Sequence, residues 1–318
     1  AGIPSVGFRL DASQGDCTVS TCTARTGPGR EAGAGSVPRV PLLLGGVEAP
    51  AILMRTSGTT AEPKLVGLSH ANVIAATVAM ASVFQLVPDD ICLTPMPMHH
   101  VHGLIAGALS ALAAGSSIHC CESFSPQAFD AALHGFSPTW MTAAPALHLA
   151  MSDHYENKGA RPAVTSLRRF RSSSAPLAPS AVRTLEDLFG APLLETYGLT
   201  ETASTICSNL LPPGRRKVGS VGVPINAELL ILDDAERKAP AGVDGEILLR
   251  GAGVIREYLG AQPEGAFREG WLRTGDIGHV DDDGYLHVVG RKKEVIKRGG
   301  HSVFPLEIDN ALATHPAV

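Results

Sequence analysis

The sequence carries no excess of positive charge, no cysteine pair at zinc-knuckle spacing and no apolar run long enough to cross a bilayer. With 26 Lys and Arg against 31 Asp and Glu, its net charge of −5 excludes the broad basic field of a nucleic-acid binder. Local basic clusters remain at Arg215-Arg216-Lys217 and 291–298. The six cysteines stand at 17, 22, 92, 120, 121 and 207, and adjacent Cys120 and Cys121 make a poor disulfide framework. Reduced thiols in a cytoplasmic protein are the simpler expectation. No charged opening segment followed by an apolar core signals secretion. The most apolar windows are 73–87, too short to span a membrane, and 101–118, which is dominated by Ala and Gly; both read as buried helices. At 318 residues, 44% hydrophobic and 18% charged, the chain reads as globular, with length for about two domains.

Residues 1–45 offer one strand, 5–10, and a Gly/Pro/Ala-rich linker at 26–41. From 46 to 208 the pattern alternates. Strands are expected at 51–55, 91–94, 117–121, 139–142, 168–171 and 193–196. Helices are expected from Ser69 as N-cap to 86, at 104–113, after Ser125-Pro126, after Pro145 and at 178–189. The implied fold class is α/β: mainly parallel sheets covered by helices, with functional groups at the strands' carboxyl ends. Residues 209–290 turn to short strands, at 227–232, 246–250 and 285–289, separated by Gly/Asp turns, and read as a smaller β-rich subdomain.

The most informative stretch is Thr56-Ser57-Gly58-Thr59-Thr60-Ala61-Glu62-Pro63-Lys64. Hydroxyls and loop N–H groups donate to phosphate oxygens, and Lys64 adds a point charge. Glycine spacing rules out a Walker A loop. Composition alone favours a Ser/Thr-rich surface turn. Likewise Glu201 alone reads as a solvated carboxylate, Tyr197 as core packing, Asp276 as a turn cap and 291–297 as a basic surface. His99, His100 and His102, with His70, invite a metal reading, but neighbouring strand positions point to opposite faces and no acidic partner is near in sequence.

Six blocks in order change that balance. Thr56 to Lys64 resembles the phosphate loop of the adenylate-forming superfamily of acyl-CoA synthetases, peptide-synthetase adenylation domains and luciferases. Pro97-Met98-His99-His100-Val101-His102-Gly103, Ser174-Ala175-Pro176-Leu177, Tyr197-Gly198-Leu199-Thr200-Glu201, Thr274-Gly275-Asp276, and Gly290-Arg291-Lys292-Lys293 running to Pro305-Leu306-Glu307-Ile308 follow in that family's sequence. The resemblance implies ATP-dependent activation of a carboxylic acid to its acyl-AMP, followed by transfer to CoA. Lys64 and the loop's Thr56, Ser57, Gly58, Thr59 and Thr60 would hold phosphates, Thr200 the α-phosphate, and Glu201 Mg²⁺. Ser174, Ala175 and Pro176, with Glu195, Thr196, Tyr197 and Gly198, would flank adenine. Asp276 would take the ribose hydroxyls, and Arg291 would reach ribose or phosphate. His100 would border the acyl pocket, Lys293 would be the hinge of the domain beginning at 291, and Gly299 and Gly300 would line the thiol tunnel.

The resemblance also marks departures. Ala61 and Leu65 stand where glycine is usual, Glu62 where a basic or neutral residue is common, and Glu257 replaces a common glycine before Tyr258. The family's portion ahead of the phosphate loop is longer, and its adenylation lysine lies beyond residue 318. The chain is therefore expected to be a fragment, with the C-terminal domain truncated after 291–318 and turnover impaired. Phe170-Arg171-Ser172-Ser173-Ser174 and 208–217 look most like oxalyl-CoA synthetases and coumarate-type ligases, although Ala203-Ser204-Thr205 lacks that branch's histidine. The expected partners are a small carboxylate, dicarboxylates included, ATP/AMP, and CoA or a carrier thiol, with no nucleic acid and no membrane span. The alternatives are a carrier-loading adenylation domain and a nucleotide-binding remnant without turnover.

Overall fold

The computed structural model describes residues 5–11, 18–25, 46–56, 64–121, 124–162, 166–260, 262–298 and 301–312, with backbone alone for 5–11, 18–25, 301, 302 and 310. The linker at 26–41, the loop residues 57–63, and Gly299 and Gly300 lie outside the described residues. In chain order, β1 (Ser5–Asp11) and β2 (Thr18–Arg25) form an antiparallel hairpin, and β3 (Pro50–Arg55) and β4 (Leu65–Ser69) another. Next come α1 (His70–Val83), β5 (Ile91–Thr94), α2 (Ser110–Ala113), β6 (Ser117–Cys120), α3 (Pro126–Phe136) and β7 (Trp140–Ala143). The alternation continues through α4 (Pro145–Asn157), β8 (Arg169–Ser172), α5 (Pro179–Phe189) and β9 (Leu193–Tyr197).

Short β10 (Cys207–Ser208) and β11 (Val223–Pro224) complete a seven-stranded sheet ordered β11-β10-β9-β8-β7-β5-β6. Its β6 to β9 portion is parallel, and β10 and β11 add antiparallel at one edge. A second, antiparallel sheet contains β12 (Glu228–Leu232), β13 (Gly245–Arg250), β14 (Phe267–Arg268), β15 (Trp271–Val280) and β16 (Leu286–Arg291). A hairpin of β17 (Ile296–Arg298) and β18 (His301–Val303) leads into α6 (Pro305–Leu312). Parallel sheets covered by helices beside a smaller antiparallel unit match the fold class expected from the sequence.

The parallel strands are apolar at consecutive positions because both faces of their sheet are covered. Leu93, Met141 and Leu193 face a core with Phe129, Leu185 and Phe189 from α3 and α5. Their chain neighbours Cys92, Trp140 and Leu194 face a second core with Met80 and Phe84 around α1. At the amino ends, buried Asp90 accepts from the Val87 N–H at 2.9 Å, Arg168 at 2.5 Å, Arg169 at 2.6 Å and the Thr139 hydroxyl, tying the starts of β5, β7 and β8 together.

Helix starts follow the side chains that were expected to set them. Ser69 Oγ accepts the Asn72 N–H at 3.1 Å while Asn72 Oδ1 accepts the Ser69 N–H at 3.0 Å, a reciprocal cap for α1. Ser125 caps α3 one way, its Oγ accepting the Ala128 N–H at 3.1 Å, with Pro126 in the first turn. Two expectations shift. Helix α1 stops at Val83 rather than 86, because Gln85 turns into the left-handed region at φ 47°. The expected helix 104–113 begins earlier, as wide π-helical turns over His102–Leu109 that tighten into α2. Gly103 packs so closely there that a Cβ would lie 2.4 Å from the Pro97 carbonyl oxygen. Among the described residues no helix is long and apolar enough to cross a membrane.

These layers set the sizes of two truncations. Leu185→Ala, fully buried, is expected to lower unfolding free energy by about 2–5 kcal/mol, whereas Ile74→Ala, at a position 55% exposed on α1, should change it by less than about 0.5 kcal/mol. Denaturant unfolding checks the order; equal costs would contradict the assignment of covered and open helix faces.

Candidate active site

The carboxyl ends of β8 and β9 meet the antiparallel sheet across a cavity of about 360 Å³. Its lining brings together Ser174, Ala175, Pro176, Glu195, Thr196, Tyr197, Gly198, Asp276 and Arg291, nine of the residues singled out in the sequence. Pro305, Leu306 and Asp309 of α6 close another side. This meeting depends on one bond across the gap. Tyr197 at the end of β9 donates its hydroxyl to Asp276 Oδ2 on β15 at 2.5 Å. Asp276 is buried, and its backbone N–H is received by Thr274 Oγ1 at 3.0 Å. Arg291 lies opposite it in the β15–β16 register, with Nε 3.4 Å from Asp276 Oδ1. Burial raises the Asp276 carboxyl, opposed by the Tyr197 hydrogen bond and then by Arg291. Burial and the neighbouring carboxylate push the Tyr197 phenol well above its ordinary value, so it stays a donor.

Gly198 follows Tyr197 because the chain folds back on itself there. A Cβ at that position would sit 1.3 Å from the Ser204 carbonyl oxygen, so no other residue fits the turn. Just beyond it a short 3₁₀ turn, Thr200–Thr202, carries Thr200 and Glu201. Glu195, two residues before Tyr197, accepts the Gly219 N–H at 2.9 Å; burial pushes its carboxyl up to about 7.

A second group assembles around Tyr258. Thr56 and Lys64 close the neck of the phosphate-loop candidate: the Thr56 N–H donates to the Lys64 carbonyl at 3.0 Å, and the Lys64 N–H to Thr56 Oγ1 at 3.1 Å. Lys64 Nζ donates to the Tyr258 hydroxyl at 3.5 Å and lies 4.7 Å above the ring, and that hydroxyl donates to Glu201 Oε1 at 2.8 Å. Tyr258 thus joins the phosphate-loop lysine to the Glu201 motif. It is 57 residues from Glu201 in sequence, and no local pattern announced it. Glu201 Oε2 takes no protein donor among the described residues, which leaves it available to a cation whose other ligands come from phosphates. Among the described residues no three of His, Cys, Asp and Glu form a metal cluster by themselves.

The histidines separate. His99 and His100 are exposed, with ring centroids 4.5 Å apart. His102 turns inward from the π-helical segment and joins Thr142 and Ser174. Lys293 lies exposed in the 3₁₀ turn Lys292–Glu294, away from the cavity lining. Leu65 belongs to β4 rather than to the loop, and its carbonyl accepts the Leu259 N–H at 2.9 Å. Glu257 is not in the left-handed region, so a carboxylate side chain there carries no backbone strain.

A cavity at the carboxyl ends of parallel strands, walled by an aromatic and a buried carboxylate, is where an open α/β sheet characteristically holds a ligand. The comparisons narrow the class. The family model described as AMP-binding enzyme matches residues 22–259, and the chain belongs to that family. A probable CoA ligase, CCL9, of Humulus lupulus is 42% identical over 271 residues, covering 83% of this chain and 51% of that protein. An oxalate–CoA ligase of Arabidopsis thaliana is 40% identical, over 84% of this chain and 53% of its own. Among solved structures, O-succinylbenzoate coenzyme A synthetase of Bacillus subtilis, in complex with ATP and magnesium ion, superposes with a TM-score of 0.77 at 28% identity, covering 86% of this chain and 56% of that one. The chain spans about half the length of the curated relatives it matches.

Glu195 supplies a pH signature. Its carboxyl is raised in the folded chain from 4.5 to about 7, so the protonated form favours folding: that stability is complete below about 4.5 and lost as pH rises through about 7. Between pH 5 and 8 the melting temperature of the parent should fall relative to that of Glu195→Gln, which cannot titrate. Parallel curves for the two proteins would show that another group titrates.

Proposed function

We propose that the chain carries the adenylation site of an acid–thiol ligase. In this reading ATP and a small carboxylic acid react to acyl-AMP and pyrophosphate, and the acyl group then passes to CoA. The observation that carries it is the Tyr197–Asp276 bond at the mouth of a cavity that also exposes Ser174, Ala175, Pro176 and Gly198. Adenine packs on Tyr197 between the 174–176 and 195–198 segments, and Asp276 accepts from the ribose hydroxyls with Arg291 beside it. Family membership and the oxalate–CoA ligase named among the relatives support a small acid, dicarboxylates included, as substrate.

The chemistry needs no covalent enzyme intermediate. An oxygen of the acid's carboxylate attacks the α-phosphorus in line; a new P–O bond forms as the bond to pyrophosphate breaks, and pyrophosphate leaves with the electron pair. Lys64 neutralises phosphate charge from the neck of the loop formed by Thr56, Ser57, Gly58, Thr59 and Thr60, and Thr200 donates to the α-phosphate. Glu201, held by Tyr258, is the carboxylate suited to Mg²⁺, which when bound supplies further neutralisation of the phosphates. His100 borders the acid. Lys293, Gly299 and Gly300 are assigned to the later thiol step as hinge and tunnel. A change from parallel to antiparallel pairing supports a division into 46–208, 209–290 and 291–318, with β11 reaching back to the core sheet. Among the described residues Cys92, Cys120, Cys121 and Cys207 are free thiols, which supports a cytoplasmic setting.

Calorimetric titration of Mg-ATP into the chain tests the site without requiring turnover. Binding is expected, weakened at least about tenfold in Asp276→Ala, which corresponds to ~1.4 kcal/mol. Equal affinity in the two proteins would sink the nucleotide assignment. Pyrophosphate exchange with a panel of small acids, on this chain and on a form extended by a relative's carboxyl-terminal portion, tests the activity itself.

A further inference from the structure

The residues from Ile255 to Leu259 run between two parts of the proposed phosphate region and are bonded to both. At one end the Ile255 N–H donates to the Glu201 carbonyl at 2.9 Å. At the other, the Leu259 N–H donates to the carbonyl of Leu65, the first residue of β4, at 2.9 Å in an antiparallel bridge. Tyr258 is fixed between them. Its backbone N–H donates to Gln262 Oε1 at 3.2 Å, and its carbonyl accepts from Gln262 Nε2 at 2.7 Å. Just ahead of the segment, the Val254 carbonyl accepts from Asn72 Nδ2 at 3.2 Å. Ile255 and Tyr258 are buried with Met54, Val66 and Ala203. Apolar packing thus places the ring, and the hydroxyl at its tip reaches the charged groups.

That hydroxyl stands between opposite charges. An ammonium only donates and a carboxylate only accepts. The phenol proton therefore goes to Glu201 Oε1 at 2.8 Å, and an oxygen lone pair faces Lys64 Nζ at 3.5 Å. The second contact is at the long limit of a hydrogen bond. The ammonium also lies 4.7 Å from the ring centroid, where the negative face of the ring attracts a cation. Lys64 and Glu201 thus each meet the hydroxyl rather than each other. Without it, opposite charges this near would close into a direct pair, and a ligand would have to break that pair before using either group. The hydroxyl bonds unequally. Firm on Glu201, it sets the orientation of that carboxylate; loose on Lys64, it lets the ammonium turn towards phosphate.

We infer that Tyr258 is a positioning residue that keeps Lys64 and Glu201 unpaired, so that the phosphates and the cation of one ligand engage the two groups together. The inference rests on the adenylation reading above. Glu201 keeps Oε1 on Tyr258 and presents Oε2, so it meets a cation through one oxygen. Mg-ATP calls on both groups at once. AMP, which lacks the β- and γ-phosphates and needs no bridging cation, makes little use of either. Tyr258 therefore acts on the triphosphate end of the ligand and leaves adenine and ribose recognition alone. Because the segment is bonded to Glu201 at one end and to β4 at the other, a ligand that engages both groups also tightens both backbone bonds.

Mg-ATP and AMP are titrated calorimetrically into the parent chain and into Tyr258→Phe, which keeps the buried ring and loses the hydroxyl. Mg-ATP affinity should fall at least about tenfold, the scale of one hydrogen bond to a charged group, while AMP affinity stays within about twofold. On a Glu201→Gln background the same substitution should cause little further loss, because the charge that the hydroxyl separates from Lys64 is gone. In the parent, amide exchange at Ile255 and Leu259 should slow with Mg-ATP and not with AMP. A loss shared equally by the two nucleotides makes the ring purely structural and overturns the inference. So does an unchanged Mg-ATP affinity, or a full tenfold loss on the Glu201→Gln background. If Tyr258→Phe does not fold, the exchange decides: an equal response to the two bound nucleotides, or none, overturns the inference. A parent that binds neither nucleotide overturns the adenylation reading, and the inference with it.

Discussion

The hydrogen bond between Tyr197 and Asp276 is the interaction on which the geometry of the cavity depends. Tyr197 belongs to the parallel sheet and Asp276 to the antiparallel one, so a 2.5 Å bond between them fixes the two sheets at the depth of a ligand. Neither group is comfortable alone: burial raises the aspartate carboxyl and the tyrosine phenol together. Their mutual bond satisfies both, and the Ile206, Ile247 and Leu249 cluster around Tyr197 supplies the apolar surface that keeps them in register. The polar contact sets the position; the surrounding apolar contacts supply the burial that makes it strong.

Alignment at the carboxyl ends follows from how the parallel sheet is made. Asp90 with Arg168 and Arg169 ties its amino ends. At the other end each strand must turn into a helix, and the turns expose backbone and short polar side chains. Ser173 and Ser174 after β8 and Gly198 to Glu201 after β9 are such turns. Close packing of these turns, as at Gly198 against Ser204, shows how little room remains for other sequences.

Much of this was legible in the sequence, for identifiable reasons. The strands β5 to β9 and helices α3 to α5 were readable because both cores demand apolar residues at successive strand positions, while Ser69, Ser125, Pro145 and Pro179 mark helix starts. The adenine and ribose candidates were readable because they lie in short contiguous motifs. The π-helical turns at His102–Leu109 were not, since Ala and Gly at those positions satisfy several helical forms and only packing against Thr94 and Thr142 chooses between them. Tyr258 was not readable as a partner of Lys64 and Glu201 either. It acts through groups brought near by the fold, and Arg256-Glu257-Tyr258 carries no local periodicity that marks it.

The cavity wall gathers groups whose burial is costly, and the protein meets each with its own hydrogen bonds. Asp276 and Glu195 are both raised by burial; Tyr197 donates to the first and the Gly219 N–H to the second. Behind Ser174, Arg171 is fully buried and is met by the hydroxyls of Thr142 and Thr205. Each bond offsets part of the desolvation cost and at the same time fixes where its group points, so the groups that are hardest to bury are also those held in one orientation.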